Sequence, residues 1–222
     1  STDGLFIDGD RLDAGDYSGP VGARTVLRDP RVQAAVLETA RGGLLRRGLV
    51  ADDARVAVVT NVSADHFGEY GIHDLDDIAA VKLVVAKSLA PGGLLVLNAD
   101  DPVLVRNSPS TGVARIGWFA LDVAVARARG LPACGVREGR LILASVDGES
   151  DLGGVVAMPL TASGRARYNI GNIAAASLAA FALGIAPATV AAVLSRFGAS
   201  NADNPGRLQR WTLGGVEVLL DY

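Results

Sequence analysis

The stretch VAVVTNVSADHFGEYGIHDLDDIAAVK, residues 56–82, decides the fold class. It opens with the apolar run Val56–Val59, which reads as a buried strand. Thr60, Asn61, Asp65 and His66 follow at once. Polar groups directly after a buried strand of a parallel sheet lie in the crevice at its carboxyl edge, where ligands bind. Leu75, Ile78, Ala79 and Lys82 then recur at helical spacing. An acidic loop, a histidine and a lysine one short helix away are the parts needed to hold a metal and a phosphate. The alternative is a βα loop with a hydrated Asp–His pair and a solvated helix lysine.

Toward the N-terminus, residues 4–13 (GLFIDGDRLD) form two short apolar segments around Asp8-Gly9, a hairpin signal. Gly19-Pro20 starts a helical stretch that Pro30 stops. Val32–Leu37 reads as a second buried strand ending on Glu38, with TARGG after it. A carboxylate at a strand's carboxyl edge, beside a glycine pair, is suited to a metal. The alternative is a loop glutamate paired with Arg41.

Toward the C-terminus, the helix carrying Lys82 is expected to run to Ala90, before Pro91-Gly92-Gly93. Leu94–Leu97 is the next strand, and Asp101-Pro102 has the form of a helix start, with Asp as cap and Pro in the first turn. Asn98 and Asp100 fit capping and turn structure better than ligand binding. Val113–Phe119 is a further strand. From Val136 to Leu160 strand-like runs alternate with glycine and acidic clusters, which reads as an antiparallel insertion. Asn169–Leu183 is an alanine-rich helix, Pro187 begins another that ends near Phe197-Gly198, and residues 208–220 read as two strands around Gly214-Gly215. Strands alternating with helices give an α/β class with a mainly parallel sheet.

With 222 residues, half of them hydrophobic, the chain can bury a substantial core. Its formal net charge of -3, low aromatic content and lack of a basic block argue against a nucleic-acid partner. Cys134 is the one cysteine, so no internal disulfide forms, which suits a reducing compartment. No apolar run reaches a membrane span, and residues 1–10 lack the charged and apolar regions of a signal peptide, so none is expected. A cytoplasmic protein is expected.

Taken in order, ETARGG at Glu38, TNVSADH at 60–66, AVK at Lys82, NADDP at Asn98, PLTASGRARYNIGN at 159–172, NPGRLQ at 204–209 and LLDY at 219–222 resemble the central ATP-binding domain of the Mur ligase family. Each motif is weak alone; the ordered set is specific. The phrasing around Glu38 and Thr60 looks most like the cyanophycin-synthetase branch. The resemblance implies a P-loop-NTPase-like α/β domain with helices flanking a mainly parallel sheet and the antiparallel insertion near 136–160. It implies ATP and magnesium ions as cofactors, and a carboxylate activated as an acyl phosphate and then attacked by an amine. A small-molecule or peptide carboxylate and an amino acid are the implied substrates. By the same resemblance Glu38 and His66 hold magnesium, Asn169 and Asn172 bind ATP, and Asn172 lies near the adenine. Arg207 reaches the phosphates, Asp221 binds the ribose, and Lys82 is a catalytic lysine that is carbamylated in many members.

Three departures temper this. The sequence contains no G-x-x-x-x-G-K-[ST] loop, whose backbone and lysine cradle phosphates. The family's last motif continues beyond the aspartate–tyrosine pair that here is Asp221-Tyr222. Tyr168 stands where many relatives have histidine. Residues 1–222 are therefore expected to be one central domain cut before the phosphate loop and before a C-terminal domain, inactive alone. An unpaired sheet edge would favour a homo-oligomer. The competing reading is a non-catalytic nucleotide-fold module used for assembly or partner binding. The coding frames on either side of the segment discriminate the two.

Overall fold

Asp8 and Gly9 both adopt positive φ, the conformation a two-residue hairpin turn requires, and they join β1 (Leu5–Ile7) to β2 (Asp10–Asp13). This is the expected hairpin, seen in a computed structural model that describes residues 3–64, 68, 71–203, 206–207 and 209–220. Pro20 in the first turn starts α1 (Pro20–Arg28), as expected, and α2 (Arg41–Arg47) follows. Between them Val32–Leu37 forms no strand, and Val36 is 98% exposed. This corrects the expected second strand. An apolar run becomes a strand only when a ladder partner is available, and none among the described residues pairs with it.

β3 (Ala54–Val59) is the expected strand, and α3 (Leu75–Leu83) is started by Asp74, which forms a reciprocal capping box with Asp77. The α-helix stops at Leu83, tightens to a 3-10 turn over Val84–Ser88, and does not continue to Ala90. β4 (Leu89–Asn98) begins there, loosely, and pairs regularly with β3 from Leu94 onward. α4 (Pro102–Asn107) is capped by Asp101, and β5 (Ile116–Asp122) lies three residues later than expected because Gly112 is left-handed and Thr111 turns the chain. Asp122 caps α5 (Val123–Arg127), which starts directly from β5. β6 (Ala133–Arg137), β7 (Arg140–Ser145) and β8 (Gly148–Gly154) follow. A Cβ on Gly135 would come within 2.7 Å of the Ala120 carbonyl oxygen and the Val123 nitrogen, so only glycine fits where α5 leaves the sheet.

The chain continues through α6 (Arg167–Ala182), α7 (Pro187–Leu194) and the hairpin of β9 (Gln209–Leu213) and β10 (Val216–Leu220). One sheet runs in the order β3-β4-β5-β6-β7-β8, parallel from β3 to β6 and antiparallel at β7 and β8. The antiparallel insertion is thus the continuation of the main sheet. The β9–β10 hairpin pairs with itself, apart from that sheet.

Leu94–Leu97 is at most 1% exposed because both faces of the sheet are covered, which is why the run is apolar without alternation. Leu95 and Leu97 pack with Ala79 and Leu83 of α3, Leu104 of α4 and Ala126 of α5. Leu94 and Val96 pack on the other face with Phe119, Ile170, Ala174 and Leu178 under α6. No helix among the described residues is long and apolar enough to cross a membrane.

Candidate functional site

The carboxyl ends of β3 and β4 carry the polar cluster that the sequence singles out. Thr60, Asn61 and Val62 leave β3 there, and both polar ends of the Asn61–Val62 peptide are held by side chains. Lys82 Nζ donates to the Asn61 carbonyl at 2.8 Å, and the Val62 amide donates to Asp101 Oδ2 at 2.6 Å. Lys82 is half-buried and stands in the last turn of α3, because the helix stops at Leu83 and does not run on. Helical side chains lean toward the N-terminus. The Lys82 stem leaves the side of α3 that buries Ile78 and Ala79 and returns to the loop after β3.

Asn98 and Asp100 serve turn structure, as expected. Asn98 Oδ1 accepts from the Asp100 amide at 2.9 Å, and Asp100 Oδ2 accepts from the Leu121 amide at 2.7 Å, tying β4 to β5. Asp101 is 8% exposed and does more than its expected capping. Oδ1 accepts from the amides of Val103 and Leu104 while Oδ2 takes the Val62 amide. This second bond spans 39 residues, so no local pattern discloses it.

α6 approaches the same edge from the other face. Gly171 faces Phe119, whose backbone pairs with Asn98 at the end of β4, so the early turns of α6 lie over the carboxyl half of the strands. Three successive left-handed residues, Ala162, Ser163 and Gly164, lead into the helix. They are held by the fully buried Thr161 hydroxyl, which lies within hydrogen-bond distance of the Val155 and Met158 carbonyls and accepts from the Gly164 amide. Thr161 carries no chemistry of its own, and sequence reading had no reason to single it out. Asn169 is buried and donates Nδ2 to the Leu160 carbonyl at 2.8 Å; its Oδ1 faces Asn172 Nδ2 at 3.5 Å. Asn172 is exposed, one turn on. Of this pair, Asn169 fixes the helix entry and Asn172 presents its amide outward.

Glu38 is exposed and precedes α2, which packs against α3, the helix of Lys82. It does not end a strand. Arg207 is exposed, just before the β9–β10 hairpin. His66 and Asp221 lie outside the described residues, and no group of three or more His, Cys, Asp or Glu suited to a metal occurs among those described. Thr60 and Asn61 after β3, and Glu38 before α2, are oxygen-bearing side chains. That hard-oxygen chemistry fits magnesium, whose remaining positions phosphates and waters fill.

Residues 20–180 match the model of the Mur ligase middle domain. Over 227 residues the chain is 40% identical to the cyanophycin synthetase of Trichormus variabilis, covering 100% of this chain and 25% of that protein. Over 174 residues it is 34% identical to the UDP-N-acetylmuramate–L-alanine ligase of Kineococcus radiotolerans, covering 75% of this chain and 33% of that one. A UDP-N-acetylmuramoyl-L-alanyl-D-glutamate–2,6-diaminopimelate ligase structure is similar with a TM-score of 0.55 at 20% identity, over 84% of this chain and 36% of its own. MurF from Acinetobacter baumannii gives 0.53 at 20% identity, over 75% and 33%. These structural likenesses concern the fold alone. The chain spans a quarter of the length of its cyanophycin synthetase relatives.

Proposed function

The chain belongs to the Mur ligase family through its middle domain, and on that premise we propose that it is the nucleotide-binding core of an ATP-dependent ligase joining a carboxylate to an amine. The observation that carries this reading is the Lys82–Asn61 bond, which ties the lysine matched by resemblance to the loop after β3; α6, with the exposed Asn172, lies over the carboxyl half of the strands. Bound magnesium-ATP would supply the phosphoryl group and the charge neutralisation that turn a carboxylate into an acyl phosphate. Glu38 and His66 are the proposed magnesium ligands, Asn172 the adenine contact, Arg207 a forked donor to phosphate and Asp221 the ribose partner. Asn169 supports Asn172 from beneath. Lys82 is the proposed site of carbamylation: a neutral amine adds carbon dioxide, loses a proton and becomes an anion. The carbamate nitrogen keeps one N–H, so the hydrogen bond to Asn61 survives the change. Within the family the cyanophycin-synthetase branch is the reading we favour, with a small-molecule or peptide carboxylate and an amino acid as substrates, in the cytoplasm.

Alone, this 222-residue chain is expected to hold magnesium-ATP weakly, because its sequence has no glycine-rich loop with a lysine for the phosphates. Each charge-assisted hydrogen bond to a phosphate contributes roughly 1.5–3 kcal/mol. Losing two or three weakens binding by about a hundredfold or more. Titration calorimetry with magnesium-ATP, beside a phosphate-release assay, tests this on the chain and on the complete product of its gene. Weak binding by the chain and amine-dependent phosphate release by the complete product are expected. A complete product that binds no ATP would favour the assembly module.

A further inference from the structure

Asp101 uses its two carboxylate oxygens for different tasks. Oδ1 caps α4, a task that serine, threonine or asparagine performs about as well. Oδ2 reaches back 39 residues to the amide of Val62 at 2.6 Å. That amide belongs to the same planar peptide unit as the Asn61 carbonyl, which Lys82 holds at 2.8 Å. One peptide plane is therefore gripped at its N–H by the Asp101 carboxylate beside α4 and at its C=O by the Lys82 Nζ donor on α3. Fixing this plane fixes the directions in which Thr60 and Asn61 leave the end of β3. Capping alone does not call for a carboxylate; a second acceptor oxygen on the side away from the helix does.

We propose that Asp101 is a positioning residue of the nucleotide site, holding the Thr60–Val62 backbone in register with Lys82 through the Val62 amide. The inference rests on the ligase reading for its functional consequence; the grip itself does not. Two substitutions separate Oδ2 from the cap. Asp101→Asn keeps the capping oxygen but turns an NH2 group toward the Val62 N–H, where two donors oppose each other. Asp101→Ser keeps a cap and is too short to reach Val62.

The experiment has two arms. Amide exchange followed by NMR on the 222-residue chain should show the Val62 amide exchanging about tenfold to a hundredfold faster in both variants, the range for loss of one hydrogen bond to a charged acceptor. The amides of Val105 and Arg106 in α4 should be unchanged. In the complete gene product, normalised to folded protein, kcat for ATP-dependent ligation should fall at least tenfold while KM for ATP moves less than threefold, since the α6 contacts are untouched. Unchanged Val62 exchange in both variants would overturn the grip. Faster Val62 exchange with unchanged kcat would overturn the positioning role. A wild-type product that neither binds nor uses ATP would sink the ligase reading and the positioning role with it, and Val62 exchange alone would then judge the grip.

Discussion

Lys82 is one of only two lysines in the chain, and its ammonium reaches a carbonyl 21 residues away. Replacing it with methionine keeps the apolar stem and removes the donor. A hydrogen bond to a charged group contributes roughly 1.5–3 kcal/mol, and partial exposure sets Lys82 at the low end of that range. Chemical denaturation of Lys82→Met should show a loss of about 1.5 kcal/mol, with faster amide exchange at Val62; full retention of both would mean the bond does not form in solution. Cys134 illustrates the opposite role. It is completely buried between Phe119 and Leu143, and desolvation pushes its thiol up to about 12. A thiol in that state is protonated at any working pH and is not nucleophilic. Native protein at pH 8 should therefore leave a chromogenic disulfide reagent unreacted, whereas denatured protein should react stoichiometrically. Rapid labelling of the native chain would contradict the packing.

At the scale of elements, α3 and α4 are latched by a forked ion pair. Arg106 donates Nε and Nη2 to the two oxygens of Asp76 at 2.8 and 2.9 Å, and Asn107 adds a third bond at 2.6 Å. The Arg106 bond first, and the Asn107 bond second, hold the Asp76 carboxyl below its ordinary value. A carboxylate depressed in the folded state stabilises above its unfolded pKa of about 3.9 and loses that contribution as pH falls through the folded value. Exchange protection across α3 and α4 should thus weaken on acidification below about pH 4. High salt should blunt the effect because the pair is exposed, and Asp76→Asn should remove the pH dependence; an identical acid response in that variant would assign it elsewhere. Much at this scale was legible in the sequence. The Asp101 cap, the Asp8-Gly9 turn and the apolar run of β4 are local signals that later packing reinforces. Val32–Leu37 looked as strand-like as Val56–Val59, yet among the described residues only the second finds a partner, since pairing is a property of two segments. The Val62–Asp101 bond was illegible for the same reason: each half has a sufficient local explanation.

At the scale of the whole molecule, a sheet covered on both faces leaves its strand ends as the place where polar groups gather, and α3 and α6 bring Lys82 and Asn172 toward one edge from opposite faces. Sequence reading pointed to that edge because the motifs stand in family order; it could not show which of the side chains there are bonded within the protein. Asn169 and Asp101 are buried and so bonded. Nucleotide binding at this edge is read out by an NMR titration of the isotope-labelled chain with magnesium and a non-hydrolysable ATP analogue, since fast-exchange shifts report even weak binding. Perturbations are expected at Thr60, Asn61, Val62, Asn172 and Arg207, and none at the opposite strand ends around Arg55 and Gly92. Perturbations at the Arg55–Gly92 end, or none anywhere at millimolar analogue, would contradict binding at this edge.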